Sequence, residues 1–190
     1  MRVELRVIAD IGFVGLPNAG KSTLLKVLTA ADPKIGNYPF TTVIPNLGVM
    51  RYHEHDVVLA DIPGLIEGAG HGAGLGTRFL KHIARTRGLA MVIGLGDAGL
   101  EESFTVLRRE LATYSRDLAH KPYLIVLNKS DLVGGDDSLR TEIEQFRQTV
   151  AVSVPVVEVS AVSSGNITAL RTELFRLAER EGRNTVGAAR

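Results

Sequence analysis

The sequence predicts a three-layer α/β domain, built on a six-stranded, mostly parallel sheet with one antiparallel edge strand. Three observations predict it. Strand and helix signals alternate from end to end, the order expected of parallel strands joined by crossover helices. Leu89-Ala90-Met91-Val92-Ile93 and Tyr123-Leu124-Ile125-Val126-Leu127 are short continuous apolar runs, as strands buried on both faces require. The segments between them carry apolar residues at three- and four-residue spacing, the period of an amphipathic helix.

The first strand is expected over residues 7–14, followed by a glycine turn and a helix over about 21–30. Residues 47–51 and 57–61 form a pair of strands joined through the polar His53-Glu54-His55, which suits a hairpin. The runs at 89–93 and 123–127 follow, and residues 154–159 supply the last strand. Phe104, Leu107, Leu111, Tyr114 and Leu118 mark one helix. Leu139, Ile143, Phe146 and Val150 mark a second, and Ile167, Leu170, Leu174 and Leu177 a third. Two segments break the pattern: residues 31–45, rich in Pro, Asn, Gly and Thr, and residues 64–76, where glycine recurs at every second position from Gly68. The tail, 182–190, is small and polar and is expected to fray, leaving residues 1–181 as one domain.

Composition narrows the function. A chain of 190 residues suits a single domain, and 45% hydrophobic with 23% charged residues is ordinary globular composition. A net charge of +1 recommends neither nucleic acid nor an anionic membrane as the main partner. With no cysteine, a disulfide framework and any cysteine-ligated metal are excluded. There is no apolar run of the roughly 18 residues that span a bilayer, and the first residues do not resemble a signal peptide. A soluble cytoplasmic protein, monomeric and without a membrane partner, is expected.

In this architecture ligands bind where loops leave the carboxyl ends of the strands. Gly15-Leu16-Pro17-Asn18-Ala19-Gly20-Lys21-Ser22, followed by Thr23, matches the phosphate-binding pattern G-x-x-x-x-G-K-[ST] between a strand and a helix. Glycines let the backbone curl around a phosphate, and the helix N-terminus adds positive potential. Lys21 would bridge the β- and γ-phosphates, and the Ser22 hydroxyl would ligate Mg²⁺. Asp61-Ile62-Pro63-Gly64 ends a later strand: the carboxylate would hold Mg²⁺, and the Gly64 amide would reach the γ-phosphate. Alone, that tetrapeptide is an ordinary turn. Thr41 and Thr42 sit in the irregular segment, where a threonine would ligate Mg²⁺ and order the loop around the γ-phosphate; in isolation they read as solvated loop residues.

Asn128-Lys129-Ser130-Asp131 follows a buried strand. Guanine presents N1–H and N2–H₂ as adjacent donors, and the Asp131 carboxylate would accept from both. Adenine would leave it unpaired, and such a site rejects the wrong base by on the order of 10⁴-fold. Lys129 would lay its stem along the base, and Asn128 would tie this loop to the phosphate loop. Ser160-Ala161, with Val162, ends the last strand, where a backbone N–H would donate to guanine O6. Each signal is weak to moderate alone. Together, in order and at strand ends, they predict a P-loop nucleotide-binding domain of the Ras-like type, with GTP or GDP as ligand.

The motifs also carry a more specific resemblance. Gly-Leu-Pro-Asn-Ala-Gly-Lys-Ser at 15–22, Tyr-Pro-Phe-Thr-Thr at 38–42, Pro-Asn-Leu-Gly-Val at 45–49 and Asp-Ile-Pro-Gly-Leu-Ile-Glu-Gly-Ala at 61–69 resemble the Obg GTPases, as do Gly-Leu-Gly at 74–76 and Phe-Leu-Lys-His-Ile at 79–83. The resemblance spans residues 4–179. It implies phosphate binding by residues 15–22, Mg²⁺ ligation by Ser22 and Thr42, and γ-phosphate sensing through Phe40, Thr41, Thr42, Val43, Ile44, Asp61, Ile62, Pro63 and Gly64. Guanine binding falls to residues 128–131 and 160–162, and catalysis to Lys21, Thr42 and Gly64. It further implies a bacterial cytoplasmic role in large ribosomal subunit assembly and growth control, with guanine alarmones (ppGpp) as further ligands.

The chain departs from the resemblance in lacking the glycine-rich N-terminal domain and any substantial C-terminal domain, which leaves ribosome binding to parts outside this chain. Gly94 stands where relatives often place an aspartate. Leu65 occupies the position at which Ras-like enzymes carry a water-orienting glutamine, which predicts slow turnover and keeps open a scaffold that binds nucleotide without hydrolysis. Asn18 leaves two readings open, a K⁺-assisted site and a site using Mg²⁺ alone. His71 reads as a solvated loop residue, and His53 and His55 have no third ligand, so no zinc is assigned.

Overall fold

The computed structural model describes residues 9–29, 34–35, 46–61, 86–97, 99–114 and 116–187. Its strands are β1 (Ala9–Gly15), β2 (Lys34–Ile35), β3 (Asn46–Tyr52), β4 (His55–Asp61), β5 (Thr86–Gly94), β6 (Tyr123–Asn128) and β7 (Val156–Glu158). They form one sheet in the order β2-β3-β4-β1-β5-β6-β7. The expected six strands are present, and the two-residue β2 adds a seventh at the margin. β1, β4, β5, β6 and β7 run parallel, while β3 is antiparallel to both β2 and β4. The one strand that runs against the others, β3, is therefore not the edge strand as predicted: the short β2 lies outside it. Tyr52 pairs with His55 across a turn at which His53 takes a φ of 53°, so the hairpin connection is tighter than three residues.

Helices α1 (Lys21–Leu28), α2 (Leu100–Tyr114), α3 (Arg116–Ala119), α4 (Asp137–Thr149) and α5 (Ile167–Gly187) cover the sheet. The apolar runs explain the layering. Along β5, Met91 and Ile93 enter a core with Leu107, Leu111, Ile143 and Phe146 from α2 and α4. Ala90 and Val92 enter a second core with Leu24, Leu25 and Leu28 of α1 and Leu170 and Leu174 of α5. Ile125 and Leu127 of β6 join the first core, and Leu124 and Val126 the second. Period-two alternation with both faces buried makes a continuous apolar string. Each fully buried Leu or Ile contributes about 1.5–3 kcal/mol relative to exposure.

Several boundaries differ from the sequence expectation. The helix expected to continue through Leu118 is two helices, α2 and the short α3, although Leu118 is buried as its spacing requires. Leu100 begins α2 because Glu142 of α4 reaches across to accept its backbone N–H at 2.7 Å. Strand β7 starts at Val156 rather than 154, since Pro155 has no N–H and Val154 N–H bonds back to Ala151. The segment 182–190, expected to fray, is helical through Gly187. The hairpin docks on α5: Tyr52 stacks on Phe175 at 4.8 Å, its hydroxyl meets Thr172 Oγ1 at 3.1 Å, and Arg171 donates to the Arg51 carbonyl. His53 and His55 belong to the same aromatic cluster, against Tyr52 and Phe175 respectively. Among the described residues no helix is long and apolar enough to cross a membrane.

Candidate nucleotide site

Strand β1 delivers the phosphate loop. After Gly15 the chain reverses through Asn18 (φ 63°) and Gly20 (φ 89°), closed by Ala19 N–H to the Leu16 carbonyl at 3.3 Å. Gly20 is needed twice over. Its left-handed backbone disfavours any side chain, and a Cβ would collide with the Asn128 amide nitrogen. Helix α1 begins immediately, with no acidic residue in its first turn to neutralise its positive N-terminal end. Lys21 folds back over the loop, donating to the carbonyls of Gly15 at 2.9 Å and Leu16 at 3.0 Å. Its charge is therefore held at the loop where a phosphate would sit. Pro17, Asn18 and Thr23 are exposed.

Parallel pairing sets Asp61, the last residue of β4, opposite Phe13 of β1 and so beside this loop. Asp61 is 1% exposed. Its Oδ2 accepts a short hydrogen bond from the Ser22 hydroxyl, whereas its buried Oδ1 has no hydrogen-bond partner among the described residues. A buried carboxylate oxygen without a donor is costly, and a cation supplies what is missing. The hydroxyl-carboxylate oxygen set is hard, which is the chemistry of Mg²⁺. These residues fit the ion.

The base end is built from β6 and the loop after β7. Asn128 is 2% exposed and bridges two loops: its Nδ2 donates to the Ala19 carbonyl at 2.8 Å, and its Oδ1 accepts the Ala161 N–H at 3.1 Å. One side chain thus holds the phosphate loop, the Asn-Lys-x-Asp loop and the Ser-Ala loop together. Ser130 N–H reaches the Val159 carbonyl at 3.0 Å. Asp131 lies at the start of a 3₁₀ turn, Ser130–Gly135, which the sequence reading does not anticipate. Its Oδ1 accepts from Ser160 Oγ at 2.5 Å, and that hydroxyl in turn accepts Ser163 N–H at 3.1 Å. Lys129 (φ 68°) places its ammonium 2.7 Å from both carboxylate oxygens of Asp97.

The structure therefore brings together Gly15 to Ser22, Asp61, Asn128 to Asp131 and Ser160 to Ala161 at the carboxyl ends of the parallel strands. Val162 is exposed just beyond. The Ala161 amide, a candidate donor to guanine O6, donates to Asn128 instead, and the Ser160 amide to the Gly165 carbonyl at 3.1 Å. Phe40, Thr41, Thr42, Val43, Ile44, Ile62, Pro63 and Gly64 lie outside the described residues, as do Leu65 and His71. Two residues carry more than the sequence reading gives them: Asp97, and Ser160 through its hydroxyl. Asp97 has no local signal, because its partner is distant in the chain. Two open cavities, of about 570 and 500 Å³, lie along β7 and at the amino ends of β6 and β7, and none of these site residues lines them.

Residues 10–129 match the family model described as 50S ribosome-binding GTPase. The chain is 44% identical over 179 residues to the GTPase Obg of Amoebophilus asiaticus, covering 93% of this chain and 52% of that protein. It is 48% identical over 158 residues to the GTPase Obg of Borreliella afzelii, covering 83% and 48%. The chain spans about half the length of these relatives. Among solved structures, the G domain of the T. maritima FeoB iron transporter aligns with a TM-score of 0.64 at 22% identity, covering 88% of this chain and 97% of that one. An Aquifex aeolicus Era variant bound to GDP.AlF4⁻ aligns at 0.64 with 24% identity, covering 86% and 55%. At such identities these structures establish the fold. The family match and the Obg relatives establish more: the chain belongs to the 50S ribosome-binding GTPase family, as a G domain of the Obg type.

Proposed function

We propose that this domain binds GTP and GDP with Mg²⁺, selects guanine through Asp131, and hydrolyses GTP slowly as a conformational switch. The observation that carries the reading is the Asn128 bridge, which sets the phosphate loop and the base loops at one edge. The Lys21 ammonium and the α1 N-terminus would take up the charge of the β- and γ-phosphates, the former by leaving the Gly15 and Leu16 carbonyls that now hold it. Asp131 has a second carboxylate oxygen beside the one bonded to Ser160, so guanine can be accepted while that hydroxyl still orients the group.

Ser22 and Asp61 would hold Mg²⁺, with Thr42 completing the set, and the bound ion would neutralise charge developing on the transferring phosphoryl group. By the family resemblance, Phe40 to Ile44 and Ile62 to Gly64 would supply the γ-phosphate-sensing segments, with Thr42 and Gly64 as candidate catalytic residues. Leu65 has no group to orient water, which supports slow turnover. In the cell the domain would act in the cytoplasm, in large ribosomal subunit assembly. Contacts to the ribosome would come from regions beyond this chain, and ppGpp would compete at the same site.

Equilibrium binding of labelled GDP and GTP, with and without Mg²⁺ and challenged by excess ATP, tests the first half. Magnesium-dependent uptake that ATP does not displace is expected, and displacement by ATP would overturn guanine selection. Phosphate release under single turnover, compared with Lys21→Ala, separates a slow enzyme from a scaffold: equal, negligible release by both proteins would establish the scaffold. Turnover in KCl against NaCl at equal ionic strength decides whether Asn18 serves a K⁺-assisted site; equal rates would leave Mg²⁺ alone.

A further inference from the structure

Lys129 is a long side chain with much rotamer freedom to lose, yet both oxygens of Asp97 hold its ammonium at 2.7 Å. The pair is assembled by the end of β5. Gly94 pairs with Asn128 across the β5–β6 ladder, and Leu95 N–H continues it to the Asn128 carbonyl at 2.9 Å. The chain then turns back at Gly96 (φ 79°), which returns Asp97 over Gly94. A Cβ at Gly94 would collide with the Asp97 carboxylate and lie 3.1 Å from Lys129 Cε and 3.2 Å from its Nζ. The absence of a side chain at 94 is what leaves room for the ion pair.

We propose that Asp97, in the space left by Gly94, is a positioning residue for guanine nucleotide binding: by holding the Lys129 ammonium it fixes the side chain whose stem would lie along the base. The inference rests on the reading of residues 128–131 as the base site. With side chains 29% and 43% exposed, Lys129 and Asp97 form a pair worth little to folding. Its effect falls on binding, because a lysine already fixed loses less freedom when the base arrives. The contact is to the base, so GDP and GTP benefit equally.

The test is a cycle of dissociation constants for GDP and GTP in wild type, Asp97→Ala, Lys129→Ala and the double variant, with thermal melts confirming folding. Asp97→Ala is expected to weaken both nucleotides by the same factor, about threefold to tenfold, and to have no effect once Lys129 is absent. Gly94→Ala should reproduce the loss. Its Cβ meets the movable end of a carboxylate rather than backbone, so the variant folds. Unchanged affinity in Asp97→Ala, or an equal loss in the Lys129→Ala background, would overturn the proposal. If wild type bound neither nucleotide, the base-site reading itself would fall, and this inference with it.

Discussion

The two ends of the site are built on opposite plans. At the base end the groups are engaged with the protein: Asn128 with Ala19 and Ala161, Lys129 with Asp97, Asp131 with Ser160. At the phosphate end a buried carboxylate oxygen of Asp61 has no donor among the described residues, and a cationic lysine rests on carbonyls. The difference follows from what each end must recognise. A neutral base is discriminated by the fixed direction of a few donors and acceptors, so the framework is best held rigid in advance. A triphosphate would bring charge, and the buried Asp61 oxygen without a donor among the described residues is what a bound metal would satisfy.

The largest effect should break the base end. Asp131→Asn should move the preference between guanine and xanthine nucleotides by on the order of 10⁴-fold, because the amide nitrogen suits the xanthine O2 where the guanine amine had donated. Competition binding of GTP against XTP reads it, and intact GTP affinity would show that Asp131 does not choose the base. Next in size is Asn128→Ala. It strands the Ala19 carbonyl and the Ala161 amide, so denaturant unfolding should show a loss of about 2–4 kcal/mol along with nucleotide binding.

Asp61→Asn sharpens the comparison at the other end. If Oδ1 awaits a cation, the increment that Mg²⁺ adds to nucleotide affinity should fall by about 10- to 100-fold, while the melting temperature without nucleotide holds or rises. A lower melting temperature with the Mg²⁺ increment intact would make Asp61 structural. The smallest effect concerns Asp136, whose carboxylate caps α4 directly after the Asp131 turn. The amide of Leu139, then the hydroxyl and amide of Ser138, hold its pKa below the usual carboxylate value. A depressed folded-state pKa stabilises above the unfolded value and is lost as pH falls through the folded one. The melting-temperature gap between wild type and Asp136→Ala should therefore be present at neutral pH and close in acid.

Most of the fold was legible because its signals are local. The runs at 89–93 and 123–127 declare doubly buried strands, and the helix spacings declare which residues face them. Boundaries were less legible where a distant group sets them, as Glu142 does for the start of α2. The site divides the same way. The phosphate loop follows from glycine and lysine placement, since close backbone approach and a helix N-terminus admit few other residues.

By itself the sequence determined the sheet and its helical layers, and it suggested the roles proposed for Lys21, Asp61 and Asp131, because periodicity and residue type act over a few neighbours. The tie from Asn128 to the phosphate loop was legible in the sequence, but only the tertiary structure decided that Asn128 also holds the Ser-Ala loop, that Ser160 holds Asp131, and that Gly94 makes room for Asp97 against Lys129. Those partners are far apart along the chain, and they meet only when parallel strands align their carboxyl ends and turn distant residues into neighbours within hydrogen-bond reach.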